Sequence, residues 1–166
     1  MKKFFNALLL LGMISFGQQA SADNLKVGVV DLQKIVQTSS QIQVIQKNLE
    51  QKFRTRHDAL MNTEKDLKAK IESFKRDSTV MNPTAKKDME RSIVAMQQKF
   101  EMDGQQYQRE LSTAHNEAME DFYTKVRSAI SDVAKKEHFD LILQKDAAPF
   151  SVEKLDVTKQ VIAAIH

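Results

Sequence analysis

The chain has 166 residues, with 25 Lys and Arg against 22 Asp and Glu, four histidines, no cysteine and no tryptophan. The missing cysteine excludes a disulfide framework and thiolate metal sites. The scarcity of aromatic residues argues against a large globular core, so burial must come from helix packing or from assembly of several copies.

The first residues read as a secretory leader over 1–22: Lys2 and Lys3 give the positive start, Phe4 to Phe16 the apolar stretch, and Ala20-Ser21-Ala22 a small-residue cleavage site. Broken by Asn6 and Gly12, that stretch falls short of the roughly 20 apolar residues of a membrane span. A mature chain beginning at Asp23 loses Lys2 and Lys3, leaving 23 basic against 22 acidic residues. Export and this near-neutral balance both speak against nucleic acid as a partner.

From Leu25 to Asp31 the alternation of Leu25, Val27 and Val29 predicts a strand. Asp31 is placed to cap a short helix through Leu32, Ile35 and Val36, interrupted near Ser39 and Ser40. Val29 to Asp103 then contains no glycine and only one proline, Pro83. The first long helix is expected from about Ser40 to Thr79, with Phe53, Leu60, Leu67, Phe74 and Met81 recurring every seven residues as a coiled-coil seam. The second is expected to start at Asn82, an N-cap followed by Pro83 at the first helical position. Its seam is Ile93, Phe100, Tyr107 and Ala114, with Met89 and Met96 interleaved, continuing through Leu111, Ala118, Phe122, Val126, Ile130 and Val133.

Antiparallel pairing of Phe74 with Ile93, Leu67 with Phe100, Leu60 with Tyr107 and Phe53 with Ala114 gives numbers that sum to 167, which puts the fold-back between residues 83 and 84. The column four residues further along the first arm holds His57, Glu64, Ile71 and Ser78. Only one of these is apolar, so the zipper is half filled. Gly104 interrupts the second helix at about 1 kcal/mol relative to Ala, and is the candidate hinge that lets the arms bend and splay.

At the end, Phe139 to Leu143 and Pro149 to Val152 read as two more short strands, and Asp156 caps a last helix carrying Val157, Val161, Ile162 and Ile165. The fold class is thus mostly α with a small β body, a long antiparallel coiled-coil hairpin projecting from a short-stranded sheet. Residues 23–39 and 137–166 form the body and oligomerisation part, and 40–136 the arm, with its tip near 80–85. Three short strands are marginal alone. Sheet edges through Val27, Val29, Leu141 and Leu143 are therefore expected to pair with other copies.

This order of pieces resembles the Skp/OmpH family over the whole mature chain: a leader, a strand of the Lys26-Val27-Gly28-Val29-Val30-Asp31 kind, a short helix, a helical hairpin, then Phe139-Asp140-Leu141-Ile142-Leu143 and a closing helix. The resemblance implies a homotrimer whose three arms enclose a cavity. It also implies an ATP-independent periplasmic holdase of a Gram-negative bacterium that keeps unfolded outer-membrane proteins from aggregating before membrane insertion.

Catalysis has no candidate. His57, His115, His138 and His166 lie far apart in sequence, and the mature chain's only glycines, Gly28 and Gly104, form no phosphate loop. No cofactor or metal is expected, and the chain reads as a non-enzyme. At the arm tip Lys65, Lys68, Lys70, Lys75, Arg76, Lys86, Lys87 and Arg91 form a basic cluster suited to acidic client segments, anionic lipid or lipopolysaccharide. Family members are associated with lipopolysaccharide through basic residues on the returning helix, where this chain carries Asp103, Glu110 and Glu117 with Arg109 as the lone cation. Met61, Val94 and Met102 fall outside the seam and have no internal reason to be apolar, which marks them as client contacts. The competing reading is a structural or adaptor coiled coil of the cell envelope that binds a folded partner or lipopolysaccharide.

Overall fold

The computed structural model describes residues 25–165, so the leader expected over 1–22 lies outside the described residues. Strand β1 (Val27–Val30) leads into helix α1 (Leu32–Thr38), whose N-cap Asp31 accepts a hydrogen bond from the Lys34 amide at 2.8 Å. Ser39 ends α1 and caps helix α2 (Ser40–Asp77), accepting from the Gln41 amide at 3.3 Å. Helix α3 (Pro83–Glu137) begins as the sequence indicates: the Asn82 side chain accepts from the Ala85 amide at 2.8 Å, with Pro83 at the first helical position.

At 38 and 55 residues, α2 and α3 are about 57 and 82 Å long. Helix α3 closes at His138, which adopts a left-handed conformation (φ 55°) while the Phe139 amide donates to the Ala134 carbonyl at 2.9 Å. Strand β2 (Leu141–Gln144) follows and pairs in parallel with β1, Val27 opposite Leu141 and Val30 opposite Gln144. Two 3-10 turns, Lys145–Ala147 and Glu153–Leu155, lead to helix α4 (Thr158–Ala164).

Three expectations change. Residues 149–152 do not form a strand. Val29 instead makes a single bridge to Asp156, and the Val157 amide donates to the Val29 carbonyl at 2.9 Å, which covers the outer edge of β1 with the approach to α4. Helix α2 stops at Asp77, so Met81 stands in the turn between the arms rather than on a seam. That turn spans residues 78–82, earlier than the fold-back inferred between 83 and 84. Accordingly, the ring of Phe53 packs on Tyr107, one heptad short of its inferred partner, with centroids 5.9 Å apart. Ala114 shares a shallow groove with Phe53 on the other side.

The core lies at the foot of the hairpin. Val30, Ile35, Phe122, Val126, Ala129, Val133, Val157 and Val161 form one buried cluster, and Leu32, Ile42, Ile45, Phe139 and Ile142 pack around it. The last turns of α3, counted with the arm in the expected division at 136, thus supply half of the body's buried cluster. Phe122, Val126, Ala129 and Val133 follow the four-three-four spacing that turns one stripe of a helix inward.

Polar contacts fasten the body where β1, α1 and α4 meet. Lys145 Nζ donates to Asp31 Oδ2 at 2.8 Å, the Asp31 amide donates to Thr158 Oγ1 at 2.9 Å, and the Thr158 amide donates to Asp156 Oδ1 at 2.8 Å. The hydrogen bond from Lys145 and that from the Lys34 amide hold the Asp31 carboxyl below its ordinary value, and the Thr158 hydroxyl and amide do the same for Asp156. A carboxyl lowered in the folded state adds stability above its unfolded value and loses it as pH falls through the folded one. The urea midpoint is therefore expected to hold steady from neutral pH to about 5 and to fall below about 4. Asp31→Asn should lower the neutral midpoint and flatten that acid decline, as followed by circular dichroism.

Candidate functional site

A two-helix hairpin covers only one stripe of each helix, and its packing here is sparse. Phe53, Leu67 and Ala114 are the buried hydrophobic residues of the arm, with Phe53 5% exposed, whereas Leu60, Ile71, Phe74, Ile93, Phe100, Tyr107 and Leu111 remain half-buried. Polar links between the two helices are few among the described residues. Arg56 pairs with Glu110, and Lys70 Nζ donates to Ser92 Oγ at 2.6 Å. Hydrogen bonds from Gln106 and Arg56 hold the Glu110 carboxyl below its ordinary range, so this link stays ionised at neutral pH.

The three residues read as client contacts are open to solvent: Met61 is 51% exposed, Val94 50% and Met102 67%. They do not converge on a single pocket. Met61 lies on α2, the other two on α3, and they form separate apolar points along the arm. Val44, Val80 and Phe150 are exposed as well, Phe150 at 86%. Val44 carries the same off-seam signal as Met61 and could have been found by it. Val80 lies in the middle of the turn, and Phe150 was hidden in the expected strand at 149–152.

The basic tip is more self-neutralised than a count of cations suggests. Lys68 pairs with Glu64 at 2.6 Å, Lys75 with Glu72 at 3.1 Å, Arg76 with Asp77 at 2.9 Å and Arg91 with Asp88 at 3.9 Å. Lys70 is turned toward Ser92. Lys65, Lys86 and Lys87 are exposed with no carboxylate within ion-pair distance among the described residues. Each of these surface pairs contributes little to stability, about 0–1 kcal/mol. Their effect is to shorten the reach of the positive field.

Gly104 sits within the continuous α3 with no positive φ, and a Cβ built there meets nothing within 4 Å. Alanine therefore fits without displacement and should favour the helix by about 1 kcal/mol. Slower hydrogen exchange of the amides around residue 104 in Gly104→Ala is the expected result; unchanged exchange would remove the hinge reading.

The four body residues divide. Val29 is buried within the single chain and Val27 partly so, whereas Leu141 is exposed and Leu143 half-buried on β2. β1 is flanked by β2 on one side and by Asp156 and Val157 on the other, which leaves the outer edge of β2 as the free edge of the sheet among the described residues. In the same residues no three His, Asp or Glu side chains are grouped as they would need to be to hold a metal ion, and no helix is long and apolar enough to cross a membrane.

Residues 26–165 match the model of the family described as "Outer membrane protein (OmpH-like)". The chain is 27% identical to the "Chaperone protein Skp" of Blochmanniella pennsylvanica, over 99% of each sequence. It is 26% identical to that of Photorhabdus luminescens, again over 99% of each, and 25% identical to that of Escherichia coli, over 93% of this chain and 94% of the other. Among solved structures, an OmpH-like outer membrane chaperone from Caulobacter crescentus shares the fold with a TM-score of 0.75 at 17% identity, covering 85% of this chain and 83% of its own.

Proposed function

The chain belongs to the OmpH-like outer membrane protein family, and from that premise we propose that it is a periplasmic holdase chaperone that keeps unfolded outer-membrane proteins from aggregating before insertion. The observation that carries this reading is the arm itself. Met61, Val94 and Met102 are half or more exposed, on helices that have no use for them in their own packing. Scattered apolar points on a long, thinly packed hairpin suit many weak contacts with a chain of variable sequence, and methionine adapts to many shapes.

Holding by such contacts needs no nucleotide and no catalytic step. Helices α2 and α3 act as the gripping arm up to the turn that carries Phe122, and the two chain ends with the last turns of α3 act as the body. The free edge of β2, with Leu141 and Leu143, supports assembly through the body into a homotrimer whose arms surround the client. Lys65, Lys86 and Lys87 supply attraction for acidic segments or for anionic lipid at the arm tip.

The test dilutes a urea-unfolded porin into buffer with and without the mature protein and follows light scattering. Suppression near one trimer per porin is expected. The triple variant Met61→Gln, Val94→Gln, Met102→Gln should retain its helicity and lose most of that suppression. Equal suppression by the variant would place client contact elsewhere, and no suppression by the native protein would refute the holdase reading.

A further inference from the structure

Where the seam is half filled, the hairpin fails to close. Leu49 and Phe53 from α2 and Tyr107 and Leu111 from α3 line a mostly apolar groove of about 560 Å³, within the roughly 300–1,000 Å³ of small-ligand clefts. The rings of Phe53 and Tyr107 stand nearly perpendicular, at 84°, and His57 tilts over Tyr107 with centroids 6.4 Å apart. One rim is charged and comes entirely from α2: Glu50, Arg54, His57 and Asp58. The opening follows from the residue types, because the seam column that should cover Phe53 holds His57 and Glu64 instead of apolar residues.

We propose that this groove receives aromatic side chains from an extended, unfolded segment in which they alternate with polar residues. The proposal rests on the holdase reading and gives it a defined subsite. From Gln46 to Asp58 the groove follows α2 for thirteen residues, about 18 Å from first to last. An extended segment rises about 3.3 Å per residue with alternate side chains on one side. Five or six such residues match the groove and present three side chains to it, about 6.6 Å apart.

The lining favours rings, which pack edge to face on Phe53 and Tyr107. The rim favours an amphipathic chain. Asp58 faces Arg54 at 4.0 Å and His57 at 3.4 Å in exposed, loose pairs. This leaves the outer guanidinium nitrogens of Arg54 to donate and the Glu50 carboxylate to accept on the same strip, so alternate polar residues of either sign meet a complement. Met61 stands one turn beyond His57 on α2 and extends the strip toward the tip. A uniformly acidic partner or a bare acyl chain would leave half of that rim unmatched.

The absence of tryptophan makes the test direct. The probe is a nine-residue peptide with Trp at three alternate positions separated by Lys, Glu and Ser, titrated into the full mature protein. Its emission should shift to the blue and saturate, and a scrambled peptide with the three Trp contiguous should bind more weakly. Leu49→Gln and Leu111→Gln should each weaken binding by about tenfold, while Val152→Gln, exposed on the body and outside the groove, should leave it unchanged.

A readout that tolerates no misfolding argument is energy transfer from tyrosine to the peptide tryptophan. It should be lost in Tyr107→Phe and kept in Tyr123→Phe. Equal binding of the scrambled peptide, or transfer that survives Tyr107→Phe, overturns the proposal. So does a change in the protein's own sedimentation mass in the two Gln variants with peptide affinity intact, which would make the groove a contact between copies. Porin scattering run in parallel separates the two levels. Suppression without peptide binding removes the groove alone, and absence of suppression by the native protein removes the holdase reading beneath it.

Discussion

Phe122→Ala is expected to cost about 3–5 kcal/mol and to release the arms from the body. The ring is 2% exposed and is the largest fully buried side chain among the described residues. It joins Val126, Ala129 and Val133 of α3 in a cluster completed by β1, α1 and the start and body of α4. Each of these pieces is short: β1 has four residues, and α1 and α4 seven each. Helices of that length have little stability of their own and form because they cover a common apolar surface. Removing the ring leaves a cavity that rigid, differently anchored walls cannot refill, which puts the cost toward the upper end for such truncations.

A loss of that size is a large share of the roughly 5–15 kcal/mol that holds an ordinary domain together. Urea unfolding of the variant should separate two signals. Emission from Tyr123, whose ring lies 5.8 Å from Phe122, should change at low urea, ahead of most of the helical circular dichroism carried by α2 and α3. The smaller truncation Phe122→Leu, which keeps a large apolar side chain in the cluster, should recover much of the loss. Coincident transitions for both signals would mean that arm and body unfold as a unit, contrary to the division proposed here.

How far this fold was legible depends on how local its causes are. The Asp31 cap, the break at Ser39 and the Asn82-Pro83 start are set by side chains bonding their own backbone a few residues away, and each lies where the residues place it. The register across the hairpin was misplaced, because a seam residue touches the layers on both sides. Sevenfold spacing alone cannot choose between partners one heptad apart, and Phe53 packs on Tyr107 where Ala114 was inferred. The body was less legible still. Parallel pairing of Val27 with Leu141 joins segments at opposite ends of the chain, and no local signal states its direction. The strand expected at Pro149 to Val152 fails for a related reason: the edge of β1 it would need is taken by Val157 and Asp156.

The same contrast holds for the surface. Met61, Val94 and Met102 were readable because an apolar residue off the seam of an amphipathic helix has no internal partner. The groove was not, since Phe53, Tyr107 and Leu111 were assigned to the seam, and a seam residue was taken as covered. The polar column at His57 and Glu64 was the available sign that it is not.

The body also leaves little room for addition at Gly28, where substitution by valine should prove nearly as damaging as the loss of Phe122. A Cβ built at Gly28 lies 3.2 Å from Phe139 Cε1, 3.2 Å from Val157 Cγ1 and 3.3 Å from Ile142 Cγ1. These atoms belong to the link after α3, the link before α4 and β2, so a side chain there presses on three segments at once. Alanine is already tight, and the two further methyls of valine have no space that does not displace one of the three. Overpacking of this kind costs about 1–3 kcal/mol, occasionally more. Relief requires β1 to move away from β2 or from Val157, and either shift breaks main-chain bonds, including the 2.9 Å contact from the Val157 amide to the Val29 carbonyl. The expected outcome is a urea midpoint well below that of Gly28→Ala, together with loss of assembly if the body joins the copies, since the free edge of β2 would be displaced. Sedimentation at a protein concentration where the native chain assembles would decide it. A Gly28→Val protein of native mass and native midpoint would show that the body rearranges freely around β1, and would remove the argument that close packing there sets the base of the arms.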